Sequence, residues 1–184
     1  MGKKEQDAAL LKQVAAGDMS ACRTLVDEHL KKMLGLAYQM LRDVTEAEDV
    51  AQDAFLKLWK QAPTWRPDAQ IKVWLYRVVF NLCIDRLRKN KNLMDIEPPE
   101  EFIEAGQIKG LHKNEIRERL NAAIFDLPER QRTAITLVHL QEEKQKDAAA
   151  VMGVSVDALE SLLARGKRNL RGKLGKHKTD LMGE

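Results

Sequence analysis

An acidic, proline-broken segment in the middle of the chain constrains everything on either side of it. Asp95, Glu97, Glu100, Glu101 and Glu104 stand there without one basic residue, around Pro98-Pro99, and Gly106 and Gly110 follow. Like charges extend a chain, proline removes a backbone donor and breaks a helix, and glycine adds freedom, so residues 93–112 are expected to be an extended linker. A chain of 184 residues then divides into two small domains, residues 1–92 and 113–184, each with a thin core. Aromatic residues make up only 5% of the chain, so those cores should be aliphatic. The formal net charge of +3 hides two basic patches. Arg86, Arg88, Lys89 and Lys91 precede the acidic segment, and Arg165, Lys167, Arg168, Arg171, Lys173, Lys176 and Lys178 run on with no carboxylate until Asp180.

Both halves read as all-α, because apolar residues recur at three and four spacing without β-branched alternation. Cys22, Leu25, Val26, Leu30, Met33, Leu34, Ala37, Met40 and Leu41 form one stripe. Thr45 and Glu48 have capping-box spacing, which predicts a second helix carrying Val50, Ala51, Ala54, Phe55 and Leu58. A third helix is expected from about Gln70 to Asn90, apolar almost all round between Ile71 and Ile84. A helix without a polar face is either buried or keeps one face for a partner. In the second half, Ile116, Leu120, Ala123, Ile124 and Leu127 form a stripe ended by Pro128, and Glu129 to Gln141 forms the next helix. A short helix around Asp147 to Met152, a left-handed turn at Gly153, an N-cap at Ser155 and a long helix with buried Leu159 and Leu162 complete a helix-turn-helix pattern.

Three constellations carry candidate chemistry. The start of the last helix, with Val156, Asp157, Ala158, Glu160 and Ser161, is positioned to enter a major groove, and Arg165, Lys167, Arg168 and Arg171 follow where phosphates would lie. Asp157 and Glu160 repel phosphate, so this element alone should bind DNA weakly. The third helix interleaves Trp74, Tyr76 and Phe80 with Lys72, Arg77, Arg86 and Arg88, a composition that stacks bases while neutralising backbone charge. Trp65 and Arg66, stiffened by Pro67, sit in the loop before it. On the second helix, Asp49, Gln52 and Asp53 adjoin Phe55, Leu56 and Trp59, an acidic rim around an apolar patch that suits a protein partner.

Other classes find no support in the residues. Cys22 and Cys83 stand far apart, and His29, His112, His139 and His177 share no metal-ligand spacing, so no metal, cofactor or disulfide framework is expected. No nucleophile set or phosphate-binding glycine loop is present, which predicts a non-enzyme. No apolar run reaches the ~18 residues of a membrane span, and the expected location is cytoplasmic. On the residues alone, a helix-turn-helix regulator with an N-terminal helical sensor or dimerisation domain stays open, as does a helical adaptor or enzyme using the Asp49 and Asp53 face.

The motifs together resemble the extracytoplasmic-function sigma factors of bacterial RNA polymerase. Asp49-Val50-Ala51-Gln52-Asp53-Ala54-Phe55-Leu56-Lys57-Leu58-Trp59 is similar to that family's core-polymerase-binding helix, and Val73 to Arg88 to its promoter-melting helix. Leu127-Pro128-Glu129-Arg130-Gln131-Arg132 resembles the opening of its second DNA-binding domain, and the match runs in order over about residues 10 to 175. The resemblance implies that Asp49, Gln52, Asp53, Phe55, Leu56 and Trp59 dock the polymerase's largest subunit. It implies that Trp65, Arg66, Lys72, Trp74, Tyr76, Arg77, Asn81, Arg86 and Arg88 engage the minus-ten element and the melted non-template strand. It assigns Val156, Asp157, Ala158, Glu160, Ser161, Arg165, Lys167 and Arg168 to the minus-thirty-five duplex. An anti-sigma protein is the implied inhibitor. The chain departs from the family pattern at Gln141-Glu142-Glu143-Lys144-Gln145-Lys146, where many members have a Gly-hydrophobic-Ser/Thr-Tyr opening, and at Glu160 and Leu162, where a Lys and an Arg are common.

Overall fold

A computed structural model describes residues 3–66, 70–93 and 113–180. Among the described residues the regular structure is entirely helical. The expected linker lies outside the described residues, apart from its first position at the end of a helix.

The N-terminal half holds α1 (Lys3–Ala15), α2 (Met19–Leu41), α3 (Val44–Gln61) and α4 (Ile71–Leu93). Asp18 starts α2 by accepting hydrogen bonds from the Ser20 and Ala21 amides at 2.8 and 3.3 Å and from the Ser20 hydroxyl at 2.7 Å. Those donors stabilise the carboxylate and hold its pKa below the ordinary value. Arg42 ends α2 in the left-handed region, at φ 63°, and its amide donates to the Tyr38 carbonyl. This tight reversal corrects the expected start of the next helix. Asp43, not Thr45, is the cap, because it leaves the reversal extended with its carboxylate accepting from the Glu46 amide at 2.9 Å. A short 3-10 turn, Ala62–Thr64, follows α3 at Pro63.

The C-terminal half holds α5 (Lys113–Phe125), α6 (Glu129–Ile135), α7 (Gln145–Met152) and α8 (Val156–Asp180). After α6 the chain widens into a π-helical turn, Thr136–Leu140, and Glu142 then adopts a left-handed φ of 57°. The expected helix-turn-helix is α7–α8. Gly153 caps α7 at φ 62°, a conformation that costs a side-chain-bearing residue about 1 kcal/mol or more. The Ser155 hydroxyl accepts from the Ala158 amide at 3.1 Å. Leu159 and Leu163 are the buried pair on α8, while Leu162 lies half-buried beside them.

Two separate thin cores were expected from the size of the halves. The buried apolar side chains instead form one continuous cluster from Leu11 and Leu25 through Leu75 and Val79 to Leu137, Val151 and Leu159. The joint runs through α4, which contacts α2 and α3 in its own half and α7 in the other, and through α2, which reaches α6. This explains why α4 is apolar almost all round between Ile71 and Ile84, with Arg77 and Asn81 left exposed. Leu75, Tyr76, Val79 and Cys83 are all buried, and the partner that the apolar pattern demands is the second half of the same chain.

Candidate polymerase and nucleic acid interfaces

The acidic helix α3 and the stripe of α2 enclose an open apolar groove of about 400 Å³ between them. Val26, Leu30, Leu34, Phe55, Leu56 and Trp59 line it, with Glu48 and Gln52 at the rim. Phe55 sits at its base, 5% exposed, with its ring centroid 5.7 Å from that of Trp59, whereas Leu56 is 46% exposed. Phe55 therefore shapes the groove from within and Leu56 offers surface to whatever enters it.

Asp49 and Asp53 lie beside the groove rather than in its lining. Arg86 of α4 reaches across to both, at 3.9 and 3.5 Å, and also pairs with Glu46, whose carbonyl accepts from the same guanidinium at 3.2 Å. Residues assigned from sequence to two different surfaces thus form one charge cluster. The cluster is half-open to solvent, so it contributes little net stability.

The minus-ten candidates divide into an open group and a covered group. Trp65 and Trp74 are half-buried and meet edge to face, centroids 5.7 Å apart. Arg66, Arg77, Asn81 and Arg88 are exposed, while Pro67, Asp68 and Ala69 lie outside the described residues. Asn81 and Arg88 line an interhelical cleft of about 650 Å³ with Phe80, Ile84, Glu129 and Met152. Tyr76 and Lys72 are engaged by the other half of the chain. The Tyr76 side chain is 1% exposed, its hydroxyl 3.5 Å from Oε1 of Gln141, and burial together with the charge of Glu143 pushes its pKa upward. Lys72 Nζ lies 2.5 Å from Oε2 of Glu143, and Lys32 Nζ of α2 lies 3.4 Å from its Oε1.

A second seam closes the far end of α2. Arg132 of α6 donates to the Met40 carbonyl at 3.1 Å and to the Phe125 carbonyl at 2.9 Å. Arg42 stacks over the Phe125 ring at 4.8 Å and pairs with Asp126 at 3.6 Å. Burial and the neighbouring Arg42 charge lower the Arg132 pKa from its ordinary value, with Glu129 opposing. Sequence reasoning missed Lys32, Arg42 and Glu143. Their one signal was the unusual polar run from Gln141 to Lys146, which carries no periodicity and so gave no hint of its partner.

The start of α8 stands clear of both seams. Val156, Asp157, Ala158, Glu160, Ser161, Arg165, Lys167 and Arg168 are all exposed along one helix. Gly166 between them is buried, and a Cβ there would approach Ile135 Cγ1 to 3.0 Å, so the glycine lets α8 lie close on α6.

Asp7, Glu28 and His29, unconnected in the sequence reading, bring ligand atoms within 4.8 Å of one another, and each has a partner. The group ties α1 to α2. Burial pushes the Cys83 thiol up to about 12, whereas Cys22 is half-buried. Among the described residues no helix is long and apolar enough to cross a membrane.

Comparison with known proteins supplies the frame for these surfaces. The family profile of Sigma-70 region 2 matches residues 25–93, and that of Sigma-70, region 4 matches residues 117–170. The ECF RNA polymerase sigma factor SigM of Mycobacterium tuberculosis is 33% identical over 180 residues, covering 95% of this chain and 88% of its own. The fold is similar to that of CnrH, solved in complex with the cytosolic domain of CnrY, with a TM-score of 0.69, 26% identity and coverage of 92% of this chain and 97% of the other. It is equally similar, TM-score 0.69 at 22% identity, to the sigma factor RpoE of Bartonella quintana, solved with the anti-sigma factor NepR, over 83% of this chain and 96% of the other. The region 2 match over α2 to α4, the region 4 match over the helix-turn-helix half and the SigM likeness along most of both chains place the chain in the extracytoplasmic-function sigma factors, which bind core RNA polymerase and direct initiation at promoters.

Proposed function

We propose that residues 1–92 and 113–184 work as separate reading heads of one sigma factor, joined by residues 93–112. The α2–α3 groove takes an apolar element of the polymerase's largest subunit, with Phe55, Leu56 and Trp59 making the contact, Asp49 and Asp53 setting its orientation through charge and Gln52 through hydrogen bonds at the rim. Trp65, Arg66, Trp74, Arg77, Asn81 and Arg88 then face the melted minus-ten strand, where aromatic faces accept unstacked bases and guanidinium groups neutralise phosphates. The start of α8 reads the minus-thirty-five duplex, and Arg165, Lys167 and Arg168 hold its backbone. The factor acts in the cytoplasm, carries no catalysis of its own, and is held inactive by an anti-sigma protein that covers the same faces. The supporting observation is the open groove itself, an apolar surface with a polar rim.

The test is transcription from a pool of promoter fragments by core polymerase, with and without the protein. Start sites that arise only with the protein, sharing two upstream elements, are the expected result. No added transcription and no co-elution with core polymerase would overturn the reading.

A further inference from the structure

The run from Gln141 to Lys146, where the chain departs from the pattern it otherwise resembles, is the segment that meets the N-terminal half. Its backbone is held for that purpose. The Glu143 amide donates to the Leu137 carbonyl at 2.9 Å, and Glu142 beside it keeps a left-handed conformation without being glycine. The result is a carboxylate whose side chain is 2% exposed, between two lysine side chains that are 42% and 33% exposed on α2 and α4. Gly35 of α2 adds room at the same point, since a Cβ there would come within 2.6 Å of the Gln141 amide nitrogen.

The asymmetry of exposure matters. A buried carboxylate needs its cations, because leaving it unpaired in a low-dielectric site is costly, whereas the lysine side chains are only partly covered and can pair with another anion. The contact is therefore a property of the closed chain and is easily traded by the lysines for another anion. DNA phosphate offers that anion, and Lys72 stands on the helix assigned above to the minus-ten strand.

We propose that Glu143 is an internal latch: it closes the free chain by occupying Lys72 and Lys32 as a stand-in for a nucleic acid phosphate. Opening frees Lys72 for the promoter strand and uncovers Tyr76 beneath Gln141. The assignment of α4 to DNA rests on the function proposed above, while the latch itself is a statement about the free chain.

The experiment uses the full-length chain and separates those two claims. Acetylation by an amine-reactive ester, read residue by residue by mass spectrometry, should modify Lys72 and Lys32 several-fold faster in Glu143→Gln than in the unmodified chain, with exposed Lys57 as internal reference. Small-angle scattering should show a larger radius of gyration for Glu143→Lys, and Lys32→Glu added to that variant should restore the compact form. Circular dichroism checks that each variant stays helical. Equal labelling of Lys72 in both chains, or an unchanged radius in Glu143→Lys, would overturn the latch. If the chain opens as expected and a minus-ten non-template oligonucleotide then slows Lys72 acetylation, the phosphate role stands. Opening without that protection would overturn it and leave the latch.

Discussion

Two helices of this protein, α4 and α8, are both assigned to DNA, yet they present opposite surfaces. On α8 every candidate contact from Val156 to Arg168 is exposed. On α4 the candidates are mixed: Arg77, Asn81 and Arg88 are open, while Tyr76 is buried and Lys72 is paired with Glu143. Under the function proposed above, the difference matches what each helix would read. A duplex offers its major groove without prior change, so a reading helix can stand ready. A melted strand exists only after the polymerase has begun to open the promoter, and aromatic side chains kept for unstacked bases would otherwise leave apolar surface in water. Covering Tyr76 and pairing Lys72 with the other half of the chain would solve that problem at the cost of the opening step proposed above.

The largest test of this contrast is a substitution in the covered helix. Leu75 of α4 is fully buried. Leu75→Ala should lower unfolding stability by about 2–5 kcal/mol, from lost transfer energy plus the cavity left behind, whereas Ser161→Ala on α8 should change it by less than about 0.5 kcal/mol. Urea denaturation followed by circular dichroism measures both. A Leu75→Ala effect as small as that of Ser161→Ala would mean that the buried face of α4 is not close-packed.

The elements were legible in the sequence because their causes are local. The stripe of α2, the Gly153 and Ser155 turn of the helix-turn-helix and the aromatic content of α4 depend on neighbours a few residues away. Even the local reading slipped at Asp43, because a left-handed arginine before it has no sequence signature. The joint between the halves was illegible for the opposite reason. Glu143 meets Lys32 across 111 residues of sequence, and nothing in a polar run such as Gln141 to Lys146 names its partner. The apolar-all-round pattern of α4 did announce that a partner exists; only the folded chain shows that the partner is internal. The candidate site was legible as residue types and illegible as connections, since Arg86, a minus-ten candidate by residue type, also pairs with Glu46, Asp49 and Asp53.

A second test falls on the boundary between covered and open. Trp65 is half-buried against Trp74, in position to exchange one ring contact for a base. Stacking on an aromatic side chain contributes about 1–3 kcal/mol per base, so Trp65→Ala should reduce opening of a duplex promoter about fivefold to hundredfold. A pre-melted promoter should be affected much less, because its strand separation is already complete. Heparin-resistant complex formation on the two templates measures the ratio. Equal loss on both would make the Trp65–Trp74 contact a structural one.

The smallest expected effect sharpens the comparison from the α8 side. Arg168 is exposed on the same helix as the proposed base contacts and belongs to the basic run that begins at Arg165. If it meets a single phosphate, Arg168→Ala removes one counterion-release event, and the slope of log affinity against log salt becomes shallower by about 0.9 for duplex DNA. The preference among minus-thirty-five sequences should stay unchanged, because a phosphate contact carries no base information. Competition between promoter variants at several salt concentrations, using holoenzyme, separates the two quantities. A shifted sequence preference would instead assign Arg168 to a base edge, and would mean that the reading surface of α8 extends well beyond its first turns, past the acidic residues Asp157 and Glu160 that weaken its hold on the backbone.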